Sequence, residues 1–333
     1  MQLLVLPPVM DAQACLEFSI NAPSLYTEAE DVVIDLSTLR WSFPLGMLVV
    51  GAAIRRLHSV RKQFGLSTAL GGIDLTSNQC QSYIAHLGFF HWVGLDIGTP
   101  VGEASGNSRY LPIRSISVAD LRPKLDNWSE VASKVDEEAT SLARVLVGRE
   151  NNSDFRAVSY ILREALRNAV EHSGADECYF CAQRWRDGRV QIAILDEGSG
   201  IKSTLDGTYE NLGSHSDAIR LAVQPGVSRI FNKPESYNLH GNSGYGLYVL
   251  SELGKSFGYF ALASGDTCYH LNKAGEQHRR ASHSGTFLGL HFSSPPTNFV
   301  ALLDDIIAAG EGEAAAAGRI SNASTHSKST RIE

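Results

Sequence analysis

The sequence has no apolar run long enough to cross a membrane. Its longest, Gly46–Ile54, lies between Pro44 and Arg55, far short of the roughly 20 residues a spanning helix needs. Cysteine is scarce: five residues, an odd number, scattered too widely for a disulfide framework. Cys178 and Cys181 stand close in ECYFCAQRW, which reads as a strand. Residues three apart on a strand face opposite sides, so this pair cannot readily share a metal or close a redox loop. No second C-x-x-C completes a zinc site, and Cys268, His270, His278 and His283 read as polar residues of a hairpin. Basic excess is lacking too. Lys and Arg number 29 against 36 Asp and Glu, a net charge of -7, so neither nucleic acid nor an anionic membrane is an expected partner. The start, MQLLVLPPVM, has no basic stretch and meets two prolines early. No signal peptide is expected, and a cytoplasmic location is.

What is present suffices for packed cores: 43% hydrophobic and 20% charged residues over 333, which excludes a wholly disordered or fibrous chain and suggests about two domains. The first third alternates strand and helix signals. Val32–Leu36 is a buried-strand candidate, Met47–Phe64 has helical spacing and stops at Gly65, Leu66–Leu70 is a second strand, and Gln79–Leu87 a short helix closed by Gly88. Such βαβ units predict a small α/β domain over 1–97. Residues 98–150 are expected to be a linker, GTPVGEASGN, with a connecting strand at Tyr110–Ile116 and a helix. That helix carries Trp128, Val131, Val135, Ala139, Leu142 and Leu146 on one stripe. A second domain is expected over 151–308, and a disordered, low-complexity tail over 309–333.

The chemistry concentrates between Asp154 and Gly246. Phe155, Val158, Leu162, Ala165, Leu166 and Ala169 recur at helical spacing, which places Glu164, Asn168 and Glu171 on the other side. A Glu and an Asn four apart can aim a carboxylate and an amide oxygen at one metal–phosphate centre. The strand Arg189–Leu195 ends in Asp196-Glu197-Gly198-Ser199-Gly200-Ile201, a carboxylate at a strand end before glycines that let backbone lie flat against a ligand. Gly241-Asn242-Ser243-Gly244-Tyr245-Gly246 leads into an apolar helix, Leu247–Leu253, whose first N–H groups suit phosphate. It is neither a Walker A loop, lacking Gly-Lys-Ser/Thr, nor a Rossmann fingerprint.

These blocks in this order resemble the gyrase, histidine kinase and MutL (GHKL) ATPase superfamily. EALRNAVEH is similar to its N box, DEGSGI to its G1 box and SGYGLYVL to its G2 box, and Gly285-Thr286-Phe287 to the strand start late in that domain. The match spans about Asn151 to Phe292 and is closest to the anti-sigma-factor serine kinases. The resemblance implies a two-layer α/β sandwich (the Bergerat ATP-binding fold) over 151–308, with ATP and Mg²⁺ as ligands. It assigns Glu164 as general base, Asn168 as Mg²⁺ ligand, Asp196 as acceptor of the adenine amino group, Gly198, Gly200 and Ile201 to the base pocket, and Ser243, Gly244, Gly246 and Leu247 to phosphate. Lys202–Gly241 would be the lid. Asn242 stands where the family has its first phosphate-loop glycine, with Gly241 just out of register.

VVIDLSTLRWSFPLG, the helix to Gly65, the next strand and IAHLGF resemble a STAS domain over about Asp31 to Asp96, the fold of the anti-sigma-factor antagonists that such kinases work with. Where those antagonists carry a phosphorylatable serine, this chain reads Phe43-Pro44-Leu45-Gly46, so docking is expected there and a phospho-switch is not. A sensor histidine kinase would need an acceptor on a dimerising helix. His58 lies in the STAS-like segment, the Trp128–Leu146 helix has no histidine, and His172 reads as a helix-surface residue. The expectation is an α/β signalling protein that binds Mg-ATP and hydrolyses it or phosphorylates a partner Ser/Thr. The alternative is a non-catalytic, ATP-gated interaction module. Asn242 favours the alternative, the intact Glu164/Asn168 pair the enzyme. Its partner would be a STAS-domain or other regulatory protein, or a second copy in a homodimer.

Overall fold

Parallel strands need crossovers, and the N-terminal part alternates accordingly. β1 (Gln2–Val5), β3 (Val32–Asp35) and β5 (Thr68–Gly71) form a parallel sheet in the order β1-β3-β5, and β2 (Val9–Met10) pairs with β4 (Trp41–Ser42). The connections are α1 (Ala12–Asn21), α2 (Pro44–Gln63), and, after β5, α3 (Gln79–His86) and α4 (Phe89–Trp92). Asp11 caps α1 by accepting from the Ala14 N–H at 2.9 Å, and Asn78 caps α3 through the Gln81 N–H at 3.1 Å. Pro44 opens α2, where its missing N–H costs nothing. The computed structural model describes residues 1–121, 128–148, 153–210, 212–228 and 244–319.

Near the end of α2, Arg61 is fully buried and, among the described residues, makes no ion pair. It donates instead to the carbonyls of Leu25, Glu28, Glu30 and Ser67 and to the Thr68 hydroxyl, at 2.7–3.1 Å. One side chain thereby fastens the entries to β3 and β5 onto α2.

The second sheet comprises β6 (Tyr110–Ser117), β7 (Glu177–Arg184), β8 (Val190–Asp196), β9 (Gly258–Asn272) and β10 (Gly275–Phe292). It is antiparallel throughout, in the order β6-β7-β8-β10-β9. Its helices are α5 (Val118–Leu121), α6 (Trp128–Val147), α7 (Ser153–His172), α8 (Gly200–Leu205), α9 (His215–Ala222), α10 (Gly246–Phe257) and α11 (Phe299–Ala316). The apolar stripes of α6 and α7 are buried as their spacing predicts, and the side chain of Trp128 lies outside the described part.

Successive residues of β8 enter two cores. Val190, Ile192 and Ile194 pack with α6, α7 and α10 on one face. Ala193 and Leu195, with Tyr179, Ala263 and Phe287, pack with α1 and α2 on the other. Cys178 and Cys181 fall into these opposite cores, as strand geometry requires. Burial on both faces is why RVQIAIL is continuously apolar instead of alternating.

Three expectations change. The chain is α/β, but α1 and α2 add a third layer on the sheet face that a two-layer sandwich leaves open. Within 98–150 the expected strand and helix are present as β6 and α6, but they pack with the second sheet and its helices. The Thr99 and Ile113 N–H groups bond to Ala85 and Leu87, β6 is the edge strand of the second sheet, and α6 packs along α7. The tail expected to be disordered from 309 is helical to Ala316, with Gly310 and Ala314 buried; residues 320–333 lie outside the described part. Among the described residues no helix is long and apolar enough to cross a membrane.

Candidate functional site

A cleft opens between α7, the turn after β8, α8 and the start of α10. Its empty volume, counted out to the mouth and including open solvent, is ≈ 1010 Å³. One end is apolar, lined by Ile194, Ile201, Leu205, Leu262 and Leu288, and Val227 lies beside Gly244. The other end holds Glu164, Asn168, Gly244 and Gly246. Of the residues read from sequence, Glu164, Asn168, Asp196, Ile201, Gly244, Gly246 and Leu247 all line it. Gly198 and Gly200 belong to the turn behind Asp196. Gly241, Asn242 and Ser243 lie outside the described residues, as does much of the expected lid (211 and 229–241). Within the lid α9 is described, closed by a reciprocal Ser214/Asp217 cap.

Asp196 ends β8 at the apolar end of the cleft, 3 % exposed. Its Oδ1 accepts from the N–H groups of Gly198 at 3.0 Å and Thr286 at 3.2 Å. Burial penalises the charged form and pushes its pKa up to about 6, against the pull of those donors. Gly285 is required here. Its φ is +91°, and a Cβ would lie 2.2 Å from the Asp196 carbonyl oxygen. Ser264, fully buried, accepts from the Ile201 N–H at 3.0 Å and donates to the Gly285 carbonyl at 2.9 Å. The hydroxyl thus ties the Asp196 turn to β9 and β10.

At the polar end, Glu164 and Asn168 sit one turn apart on α7, and α10 begins against them. A Cβ on Gly246 would lie 3.1 Å from Glu164 Cβ and 3.9 Å from Asn168 Nδ2. Tyr245, the residue before α10, makes no side-chain cap of its own, and the positive end of this helix adjoins the cleft. The Glu164 carboxylate is not isolated. Oε1 accepts from Arg167 Nη1 at 3.0 Å, and Arg163 Nη2 stands 3.7 Å away. Glu171 does not line the cleft and pairs with Arg167 at 2.5 Å. His172 lines the cleft instead of serving only as a surface residue of its helix.

Thr286 and Ser264 were missed as site residues. The Gly285-Thr286 pair is visible in the sequence, but its place opposite Asp196 is set by the β8–β10 register, and nothing around Ser264 signals its role. No family model, no curated protein and no solved structure matches the chain.

Proposed function

We propose that the chain is a Mg²⁺-dependent ATP-binding regulatory protein of the histidine kinase-like ATPase superfamily, with a STAS-like α/β unit over its first 97 residues. The carrying observation is Asp196, one buried acceptor at the apolar end of a cleft whose other end is the start of a helix. An amino-bearing base fits the first end and an anionic phosphate chain the second. The cradle at Gly246 supports this, because a side chain there would press on Glu164 and occupy the space a phosphate needs. Among the described residues no three His, Cys, Asp or Glu gather as a metal site. A Mg²⁺ bridged by phosphates takes only one or two protein oxygens, and Asn168 would supply one. Bound Mg-ATP would bring a transferable phosphoryl group, and Glu164 would accept the proton of the attacking hydroxyl or water.

The ion pair of Glu164 with Arg167 favours a second reading, the non-catalytic nucleotide-gated module. A carboxylate oxygen engaged by a guanidinium is a weaker proton acceptor than an open one.

The first reading is tested by calorimetry with Mg-ATP and Mg-GTP. Adenine presents an amino donor to the Asp196 carboxylate, and guanine presents a carbonyl that repels it. ATP should bind and GTP should bind at least tenfold more weakly. Equal affinities, or no binding of ATP, would overturn the assignment.

A further inference from the structure

Behind the Asp196 turn, on the α2 side of the sheet, lies a second cleft of ≈ 1620 Å³ empty volume, counted out to its mouth. α2 presents Arg55, Ser59 and Lys62 to it at i, i+4 and i+7, one stripe, with Arg56 beside them. In a chain of net charge -7 this is a local concentration of positive charge. Arg56 and Lys62 are exposed and make no ion pair among the described residues. His58 also lines the cleft, and its Nε2 is buried without a hydrogen-bond partner. The acid facing this stripe, Glu197, is already engaged by Arg55, through Nε at 3.3 Å and Nη2 at 3.0 Å. Asp96 is directed to His91 at 3.5 Å.

We infer that this cleft binds a small multivalent phosphate anion, held by Arg56, Lys62 and Arg55, and that its occupancy draws Arg55 away from Glu197. The cations span about 10 Å along the helix, the rise of seven residues, which matches a di- or triphosphate. A nucleic acid would require a longer basic stripe and a less acidic protein. Hydroxyls of Ser59, Ser282 and Ser284 at the cleft wall complete a donor set for phosphate oxygens.

The site touches the first cleft through two bonds. Glu197 directly follows Asp196, and His283, which lines the second cleft, donates from Nε2 to the Asp196 carbonyl at 3.2 Å. The β10 ladder shifts register on both sides of His283, which aims its ring at that turn instead of into the ladder. Freeing Glu197 therefore alters the peptide that carries Asp196, and any effect on nucleotide affinity must be reciprocal. This coupling rests on the nucleotide reading of Asp196, whereas the anion site itself does not.

The test is calorimetry of the full chain with inorganic pyrophosphate at low salt, without ATP. Gly246→Ala, which obstructs the phosphate end of the first cleft, should retain this binding, and in that background the double variant Arg56→Glu/Lys62→Glu should bind at least tenfold more weakly. Both substituted side chains are exposed, so the variant keeps its fold, which a melting curve checks. Equal binding by the double variant, loss confined to Gly246→Ala, or no binding by wild type would overturn the anion site. For the coupling, pyrophosphate should change ATP affinity in wild type but not in Arg55→Ala. An equal change in both would refute the Arg55–Glu197 relay while leaving the anion site standing.

Discussion

Asp196 and Thr286 face each other across the antiparallel β8–β10 pair, and the Thr286 N–H donates to Asp196 Oδ1 at 3.2 Å. The carboxylate is thereby fixed by backbone from two elements, since the Gly198 N–H holds it from its own turn. An acceptor so preorganised loses little entropy when it meets a ligand donor. Asp196→Asn should weaken ATP binding roughly ten- to hundredfold, the equivalent of about 1.5–3 kcal/mol for a buried charge-assisted bond. Unchanged affinity in calorimetry would remove Asp196 from the base pocket.

The same substitution has an opposite signature in stability. The folded pKa of about 6 stands above the ordinary value of 3.8, so the folded state binds this proton more tightly than the unfolded chain. Stability from this group is complete below the unfolded pKa and is lost as pH rises through about 6. Asn does not titrate. The stability of Asp196→Asn relative to wild type should therefore rise by about 2 kcal/mol between about pH 4.5 and about pH 7.5. Urea melts of both proteins at the two pH values measure it, and a constant difference would show that burial does not perturb the carboxyl.

Gly285→Ala should damage fold and site together. The new methyl would meet the Asp196 carbonyl and the Gly198 N–H, with φ in the left-handed region as well. A destabilisation above about 2 kcal/mol is expected, with loss of ATP binding even well below the melting temperature. Gly275→Ala is the control. It too has positive φ but meets no atom within 4 Å, so it should cost only about 1 kcal/mol and leave binding intact.

Glu164 separates enzyme from switch. If it is the base, Glu164→Ala should lower turnover by about 10²–10⁴ while ATP affinity largely persists. Arg167 retains Glu171 as a partner in that variant, so the helix surface is not left with an unpaired buried cation. Phosphate release and phosphoprotein formation, scored with and without added partner proteins, decide the matter. Turnover unaffected by the substitution would leave the gated module as the better account.

At Arg61, lysine is not a conservative replacement. The guanidinium spreads its N–H donors over four carbonyls and a hydroxyl, and an ammonium has three donors at one point. Arg61→Lys should cost about 2–4 kcal/mol through carbonyls left without a donor. A denaturation midpoint equal to wild type would mean that water replaces the missing bonds.

The candidate site was legible where its chemistry is contiguous. Glu164 and Asn168, the Asp196–Ile201 turn and the Gly244–Leu247 helix start each fit in one short string, and all reach one cleft. Thr286 was legible only as a strand start, because its partner lies 90 residues earlier. In the fold, βαβ periodicity gave β3, α2, β5 and α3, with β5 beginning two residues late. β1 was hidden by its brevity and the prolines that follow it, and α1 by a sequence without a clean apolar stripe. The third layer was not legible, since the first half of α2, 44–54, is apolar on nearly every side and nothing local says what its second face meets. For α11, low complexity masked helix propensity. Alanine is the strongest helix former, and Gly310 lets the helix approach the Tyr248 ring, where a Cβ would lie 2.5 Å from Cε1.

α2 lies between the two sheets, with Leu45 against Gly289 of β10 and Ile54 and Leu57 in the same apolar core, so one continuous core joins the N-terminal part to the second sheet. A partner seated against α2 would therefore press on an element that itself packs on β8, the strand that ends in Asp196. Cutting the chain at 150 to isolate residues 151–308 would remove edge strand β6 and bare Leu195, Ala263 and Phe287 to water. The excised piece should be sticky and unsuited to biochemistry, and the two halves should melt as one.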